Sequence, residues 1–286
     1  MSNISRAFQN GKAFIGFVTG GDPSIERTRE FVLEMVRAGA DLVEIGIPFS
    51  DPIAEGPVIQ EANIRALRAG TTVEKLFALV GDLRKETAIP LVFLTYLNPV
   101  FRYGYDAFFQ RAANVGLDGI IIPDLPFEEQ APVRKAAGCH GIDLISLIAP
   151  TTRGNSEEDF DVRIKKIAQN AFGFIYIISS MGVTGMRREI TTDLSTIVSA
   201  LRSATKVPLA VGFGIHTPAQ ATKVAETADG VIVGSAIVKI IAEYEENAGS
   251  MIYQYVKDLI VFIMEKTLLT ENISRGTMAY RANDEL

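Results

Sequence analysis

The stretch Leu42-Val43-Glu44-Ile45-Gly46-Ile47-Pro48-Phe49-Ser50-Asp51-Pro52-Ile53-Ala54-Glu55-Gly56-Pro57 decides how this chain is read. It opens as an apolar run, takes a carboxylate near its end, and passes into a loop stiffened by Gly46, Pro48 and Pro52. An apolar run of this kind belongs in a parallel sheet covered on both faces. A glutamate stranded among Leu, Val and Ile costs free energy unless its charge is paired or neutralised. Desolvation there pushes the carboxyl pKa upward, toward the range of an acid that works near neutral pH. Eleven residues later Glu55 brings a second carboxylate, and the intervening prolines restrict the backbone that places one relative to the other. Two readings stand side by side. Glu44 pairs with a cation inside the sheet while Glu55 caps the next helix, or the two form a reaction centre.

Outward from this stretch, short β-branched runs alternate with segments of helical period about every 25–45 residues, the rhythm of a parallel sheet. The strand candidates are Phe14–Thr19, Leu42–Ile45, Leu91–Leu94, Gly119–Ile122, Leu144–Ile148, Phe174–Ile178, Leu209–Gly212 and Gly230–Val233. Eight of them fit an α/β fold of the closed (β/α)8 TIM-barrel kind better than an open doubly wound sheet. Helices are expected over Ile25–Ala38, with Ser24 as N-cap, and over Val73–Glu86, Tyr105–Val115 and Glu128–Gly138. Others are expected over Asp159–Asn170, Leu194–Arg202 and Pro218–Glu226, then a short one from Ser235 and a longer one around Ser250–Lys266. No Ser/Gly-rich linker divides the chain. It reads as one barrel domain over residues 1–266, followed by a polar, loosely ordered tail, Thr267–Leu286.

Composition narrows the function classes. Hydrophobic residues make up 48% of the 286 and charged residues only 22%, which implies a large buried core. The net charge is −6 with no basic cluster, so nucleic acid is not an expected partner. A single cysteine, Cys139, excludes an intrachain disulfide framework and a cysteine-rich zinc site. The two histidines, His140 and His216, are far apart and lack metal-ligand spacing. No stretch approaches the ~20 apolar residues of a membrane span, and the first ten residues lack a signal-peptide layout. A cytoplasmic protein, with no membrane partner, is the expectation.

Polar residues gather where strands end, and in barrels of this type the chemistry sits at those carboxyl ends. Glu44 closes the second strand, Tyr96 and Asn98 follow the third, Asp124 the fourth, and Tyr176 and Ser179 belong to the sixth. Val211-Gly212-Phe213-Gly214-Ile215 and Val233-Gly234-Ser235-Ala236 follow strands seven and eight, where glycine loops and a helix N-terminus suit a phosphate. Tight turn geometry alone is the blander account of those glycines. After strand six, Ser179-Ser180-Met181-Gly182-Val183-Thr184-Gly185 suits a loop that closes over a ligand, or an ordinary connection. No lysine ends a predicted strand, which argues against a Schiff-base aldolase, and no Gly-x-Gly-x-x-Gly opens a strand–helix unit for a dinucleotide. What remains is carboxylate proton transfer on a phosphorylated substrate beside apolar walls such as Phe17, Leu94, Ile121, Ile148 and Phe213.

Taken together, these motifs resemble the tryptophan synthase alpha chain family. The matching segments are Phe17-Val18-Thr19-Gly20-Gly21-Asp22-Pro23, Glu44 through Gln60, Tyr96-Leu97-Asn98-Pro99, Pro123-Asp124-Leu125-Pro126, Gly182-Val183-Thr184-Gly185, Gly212-Phe213-Gly214 and Gly234-Ser235-Ala236. The resemblance implies a carbon–carbon lyase that cleaves indole-3-glycerol phosphate to indole and glyceraldehyde 3-phosphate in tryptophan biosynthesis. It implies Glu44 as the acid and base, Glu55 as the carboxylate that holds the indole N–H, and Tyr176 as an orienting catalytic group. Phosphate contacts fall on Gly185, Gly214, Gly234 and Ser235, the indole pocket on Phe17, Leu94, Ile121, Ile148 and Phe213, and further substrate contacts on Tyr96 and Thr184. Asp51 and the segment Asn98–Arg102, with Asn98 and Pro99 foremost, match a surface facing a beta chain in an alpha2-beta2 heterotetramer. Pyridoxal phosphate is expected only in that partner, with no cofactor or metal in this chain.

Three departures accompany the resemblance. The family usually has aspartate where this chain has Glu55, so an extra methylene moves the charge outward. The leader before the first strand is short and leaves little room for the family's bottom-plugging N-terminal helix. The tail matches nothing. Two other functions compete: a catalytically weak, phosphate-binding activator of a beta chain, and a free-standing lyase of the same substrate. A related indole-glycerol-phosphate synthase would call for a lysine acid in the barrel, and none is placed for it.

Overall fold

Several strands in this chain start just after a left-handed glycine that follows a helix. The computed structural model describes residues 3–149, 152, 157–178, 194–212, 214–215 and 217–264. After a 3-10 helix at Asn3–Phe8 come β1 (Ala13–Thr19), α1 (Ile25–Ala38), β2 (Leu42–Gly46), α2 (Pro57–Arg68), α3 (Val73–Leu83) and β3 (Leu91–Leu94). There follow α4 (Leu97–Tyr103), α5 (Tyr105–Asn114), β4 (Gly119–Ile121), α6 (Ala131–Cys139), β5 (Asp143–Leu144) and β6 (Ser146–Ile148). The rest are α7 (Glu157–Gln169), β7 (Ile175–Ile178), α8 (Leu194–Ala204), β8 (Leu209–Gly212), α9 (Pro218–Ala225), β9 (Gly230–Val233) and α10 (Ser235–Tyr244), with helical residues again over 248–264.

Helix α1 ends at Gly39, whose φ of 107° lies in the left-handed region that favours glycine. Ala40 and Asp41 then lead into β2. The same glycine–apolar–aspartate step recurs as Gly116-Leu117-Asp118 before β4 and as Gly141-Ile142-Asp143 at β5, with φ 81° and 72° at the glycines. Two of these aspartates, and Asp229 before β9, fasten the start of a neighbouring strand. Asp41 accepts the Phe14 N–H, Asp118 the Leu91 N–H and Asp229 the Leu209 N–H, each at 2.8 Å. Satisfying these edge amides fixes the register at the N-terminal face of the sheet.

All strand pairs are parallel, in the order β5-β4-β3-β2-β1-β9-β8-β7-β6. The two ends of that order belong to one stretch, because β5 and β6 flank Ile145, whose N–H reaches the Ile120 carbonyl at 2.9 Å. The sheet therefore closes as eight strands around a ring, a (β/α)8 barrel. Its fifth strand, expected as one run, is divided between two neighbours. Alternation along each strand separates two apolar layers. Ile15, Leu42, Val92, Ile121, Phe174 and Ile232 point inward and pack together, while Phe14, Val43, Phe93, Ile120, Ile175 and Val231 pack outward against the helices.

Three expectations need revision. The short leader does plug the barrel: the 3-10 helix puts Ile4 and Ala7 into the interior cluster, and Phe8 meets Phe174 at 5.9 Å. A 3-10 helix rises about 2 Å per residue, so few residues span the barrel floor. Helices α2 and α4, which carry Pro57 and Pro99, were not among the ranges expected, although a helix capped by Glu55 was one reading. Both prolines sit in a first turn, where the missing N–H would have had no intrahelical partner. The expected helix from Glu128 starts instead as a 3-10 turn, Phe127–Glu129, and becomes α6 only at Ala131. Residues 248–264 present Ala248, Ile252, Val256, Leu259 and Ile263 to the core at helical spacing. The predicted tail, Thr267–Leu286, lies outside the described residues.

Asp118 also accepts the Asn3 side-chain amide at 2.8 Å and pairs with Arg84. Replacing it with alanine should cost about 2–4 kcal/mol, because a strand amide loses its acceptor and Arg84, still bonded to the Gly116 and Ile89 carbonyls, loses its counter-charge. Chemical denaturation of Asp118→Ala checks this, and a cost under about 1 kcal/mol contradicts it.

Candidate active site

Inward-facing positions of β2 run Leu42, Glu44, Gly46, so the alternation that buries Leu42 in the barrel also sends Glu44 there. Glu44 is 1% exposed, lies beside Phe17 of β1 and Val92 of β3 in register, and its Oε1 finds no hydrogen-bond partner among the described residues. Burial pushes its carboxyl from the ordinary 4.5 to about 8. The expectation that a cation pairs with Glu44 inside the sheet is not met among the described residues. Tyr176 of β7 also faces the interior, and its hydroxyl is held well above the ordinary phenol value, first by burial and then by the charge of Glu44. Gly212 makes room for that ring, since a Cβ there would stand 2.3 Å from the Tyr176 hydroxyl oxygen.

Glu55 enters from the loop after β2 and is 8% exposed. Burial raises its carboxyl to about 7, and a hydrogen bond from Asn63 opposes the rise. Three contacts pin it: Asn63 Nδ2 donates to Oε2 at 2.6 Å, Gln60 Nε2 to its carbonyl at 2.7 Å, and Tyr96 Oη accepts the N–H of the preceding Ala54 at 2.9 Å. Asp124 in turn accepts the Leu97 N–H at 2.9 Å and so holds the start of α4.

One cavity at the carboxyl ends of the strands is lined by Glu44, Glu55 and Tyr176 together with Phe17, Leu94 and Ile121. Gly214, with φ 82°, and Gly234 and Ser235 line its far side. Ser235 opens α10, whose N-cap, Gly234, supplies no side-chain cap, so the positive end of the helix dipole meets the cavity. No Lys or Arg is among the lining residues, and among the described residues no group of three or more His, Cys, Asp or Glu is placed to hold a metal ion.

Not every expected residue lies on this wall. Ile148 points outward into the helix layer, and Leu147 lines the cavity in its place, since adjacent strand residues face opposite sides. Tyr96 stands behind the wall, bracing Ala54 and packing on Phe49 at 5.3 Å. Thr184, Gly185 and Phe213 lie outside the described residues. Asp51 and Asn98 are exposed on the rim and Pro99 is half-buried. Phe101, inside the expected partner-facing segment, is 64% exposed beside them; sequence reasoning missed Ile53, 73% exposed there, and it missed Ile59, Ile178, Ile232 and Asn63. The buried face Ile59, Ala62, Asn63, Ala66 carries a helical period that would have revealed α2 and its asparagine.

A family model described as tryptophan synthase alpha chain matches residues 4–265. The chain belongs to the tryptophan synthase alpha chain family. It is 52% identical to the tryptophan synthase alpha chain of Lactiplantibacillus plantarum over 86% of this chain and 90% of that one. With that of Lacticaseibacillus casei the identity is 48% over 93% and 97%. The alpha chain structure from Legionella pneumophila superposes with a TM-score of 0.80 at 35% identity, covering 92% of this chain and 97% of that chain. A chain of the tryptophan synthase a2b2 complex of Pyrococcus furiosus superposes at 0.79 with 36% identity, covering 87% and 99%. The family's activity is that of a lyase in tryptophan biosynthesis, the cleavage of indole-3-glycerol phosphate. Among the described residues no helix is long and apolar enough to cross a membrane.

The raised Glu44 carboxyl has a consequence for stability. The folded protein keeps this proton at pH values where the unfolded chain, near 4.5, has released it. Stability therefore declines as pH rises from about 4.5 to about 8. Glu44→Gln should flatten that part of the profile and be the more stable form above pH 8, by on the order of a few kcal/mol. Urea denaturation at several pH values checks this, and parallel profiles for the two proteins contradict it.

Proposed function

We propose that Glu44 is the acid and base of indole-3-glycerol phosphate cleavage in this chain and that Glu55 is the electrostatic partner of the indole nitrogen. The observation that carries the reading is the uncompensated burial of Glu44, which keeps a carboxyl protonated near neutral pH inside a cavity walled by apolar side chains. Glu44 delivers its proton to carbon 3 of the indole, and the ring nitrogen becomes an iminium. The Glu44 carboxylate then takes the proton from the hydroxyl of the adjoining glycerol carbon. That C–O bond becomes the aldehyde C=O as the carbon–carbon bond breaks, and its electron pair returns to the ring. Glu44 is left protonated, as it began.

Glu55, with the lower of the two raised values, accepts the indole N–H and stabilises the positive charge that develops there. Tyr176 orients Glu44 and the substrate. The dipole of α10, with the backbone at Gly214, Gly234 and Ser235, receives the phosphate, and Thr184, Gly185 and Phe213 complete the site. Phe17, Leu94, Ile121 and Leu147 give the ring an apolar bed.

The same reading gives the chain a beta partner, docked over the rim of Asp51, Asn98 and Pro99 in an alpha2-beta2 assembly, as in the a2b2 complex of Pyrococcus furiosus. Pyridoxal phosphate then belongs to the partner alone, and both chains to the cytoplasm. The exposed Ile53 and Phe101 on that rim disfavour a free-standing lyase. A silent activator would give the burial of Glu44 no task.

Indole release should fall at least ~10²-fold in Glu44→Gln, with or without a beta chain. Unchanged turnover would sink the mechanism. For the wild type, kcat/KM should decline above about pH 8, where Glu44 loses its proton, and below about pH 7, where Glu55 gains one. A flat profile from pH 6 to 9 contradicts these assignments. Glu55→Asp should retain activity and Glu55→Ala lose most of it, whereas an active alanine variant leaves Glu55 a spacer.

A further inference from the structure

An asparagine in the middle of a helix has a cost, because its amide competes for backbone hydrogen bonds and its helix propensity is low. Asn63 sits inside α2 and is 4% exposed, on the same face as Ile59, which lines the cavity one turn earlier. Side chains on a helix lean toward its N-terminus, so this amide reaches back over the first turn to the residue before the helix. There Nδ2 donates to Glu55 Oε2 at 2.6 Å. A carboxylate only accepts, which fixes the amide with its nitrogen toward Glu55. The extra methylene of a glutamate adds one rotatable bond, and this contact holds it. Glu55 Oε1 takes no hydrogen bond from the described residues and remains for a donor in the cavity.

We infer that Asn63 is the positioning residue of the second carboxylate, holding Oε2 so that Oε1 meets the indole N–H in its ionised form. The inference rests on the role proposed for Glu55. A hydrogen bond to a carboxylate favours its ionised state, and Asn63 opposes the rise that burial imposes. Among the described residues, the other titratable groups around Glu55 are Glu44 and Tyr176, which line the same cavity, and Tyr96, whose hydroxyl is engaged by Ala54. Arg65, two residues further along α2, is committed to Asp22 at 2.8 Å.

The test is the pH profile of kcat/KM for indole release in four proteins: wild type, Asn63→Leu, Glu55→Gln and the double variant, each in the alpha–beta complex. Asn63→Leu should move the acid limb upward by about one pH unit and lower kcat/KM at pH 7 about fivefold. Asn63→Leu should add nothing in the Glu55→Gln background. Asn63→Ser, smaller but equally short of an amide donor, should show the same shift should the leucine variant not fold. An unmoved acid limb in a folded Asn63 variant, with Glu55→Gln still impaired, overturns the inference and leaves the site standing. Full activity in Glu55→Gln overturns the role of Glu55 and the inference with it.

Discussion

The molecule depends on one unpaid desolvation. Glu44 lies in the barrel with no cation on the cavity wall and with one oxygen lacking a partner among the described residues. Such a group persists only where the surrounding structure over-determines it, and here the surroundings are extensive. The strand register sets Glu44 between Phe17 and Val92, and the interior cluster beneath is sealed at the floor by Ile4. The same residue class is treated in opposite ways at the two ends of the barrel. At the amino ends of the strands Asp41, Asp118 and Asp229 are satisfied by backbone amides, and they lock the sheet. At the carboxyl ends Glu44 Oε1 finds no partner among the described residues and Glu55 takes a side-chain bond from Asn63 alone, both on the wall of one cavity.

Two carboxyl groups in one cavity are useful only where their environments differ. Glu44 sits on a strand, deeper and without a hydrogen-bond donor to Oε1, while Glu55 sits on a braced loop with Asn63 attached. That difference orders their proton affinities, as the proposed division into a proton donor and a charge carrier requires. The bracing runs outward: Asp124 holds Leu97, and Tyr96 holds Ala54. Residues Asn98 and Pro99 follow directly on that chain of contacts, which places the rim one step from the loop that carries Glu55.

Much of this was legible in the sequence because the governing patterns are short-range. β-branched runs and their spacing gave the eight-strand ring, and a lone glutamate in an apolar run pointed to the buried carboxyl that lines the cavity. What escaped depended on geometry with a period of one residue or on a first helical turn. Ile148 and Leu147 are equally apolar neighbours, and only the break of the strand at Ile145 tells which of them faces inward. No range was expected for α2 or α4, whose first turns carry Pro57 and Pro99, and with α2 went Asn63. The repeated glycine–apolar–aspartate step was present in the sequence, but its task appears only when the aspartate is seen beside another strand.

The central claim is that Glu44 carries a proton near neutral pH. Its most direct test is the titration of the Glu44 carboxyl carbon by 13C NMR in the free protein, assigned through the spectrum of Glu44→Gln. A midpoint near the burial-raised value of about 8 is the expected result. A midpoint close to the ordinary 4.5 would contradict the account, because a carboxylate already ionised at neutral pH has no proton to give to carbon 3.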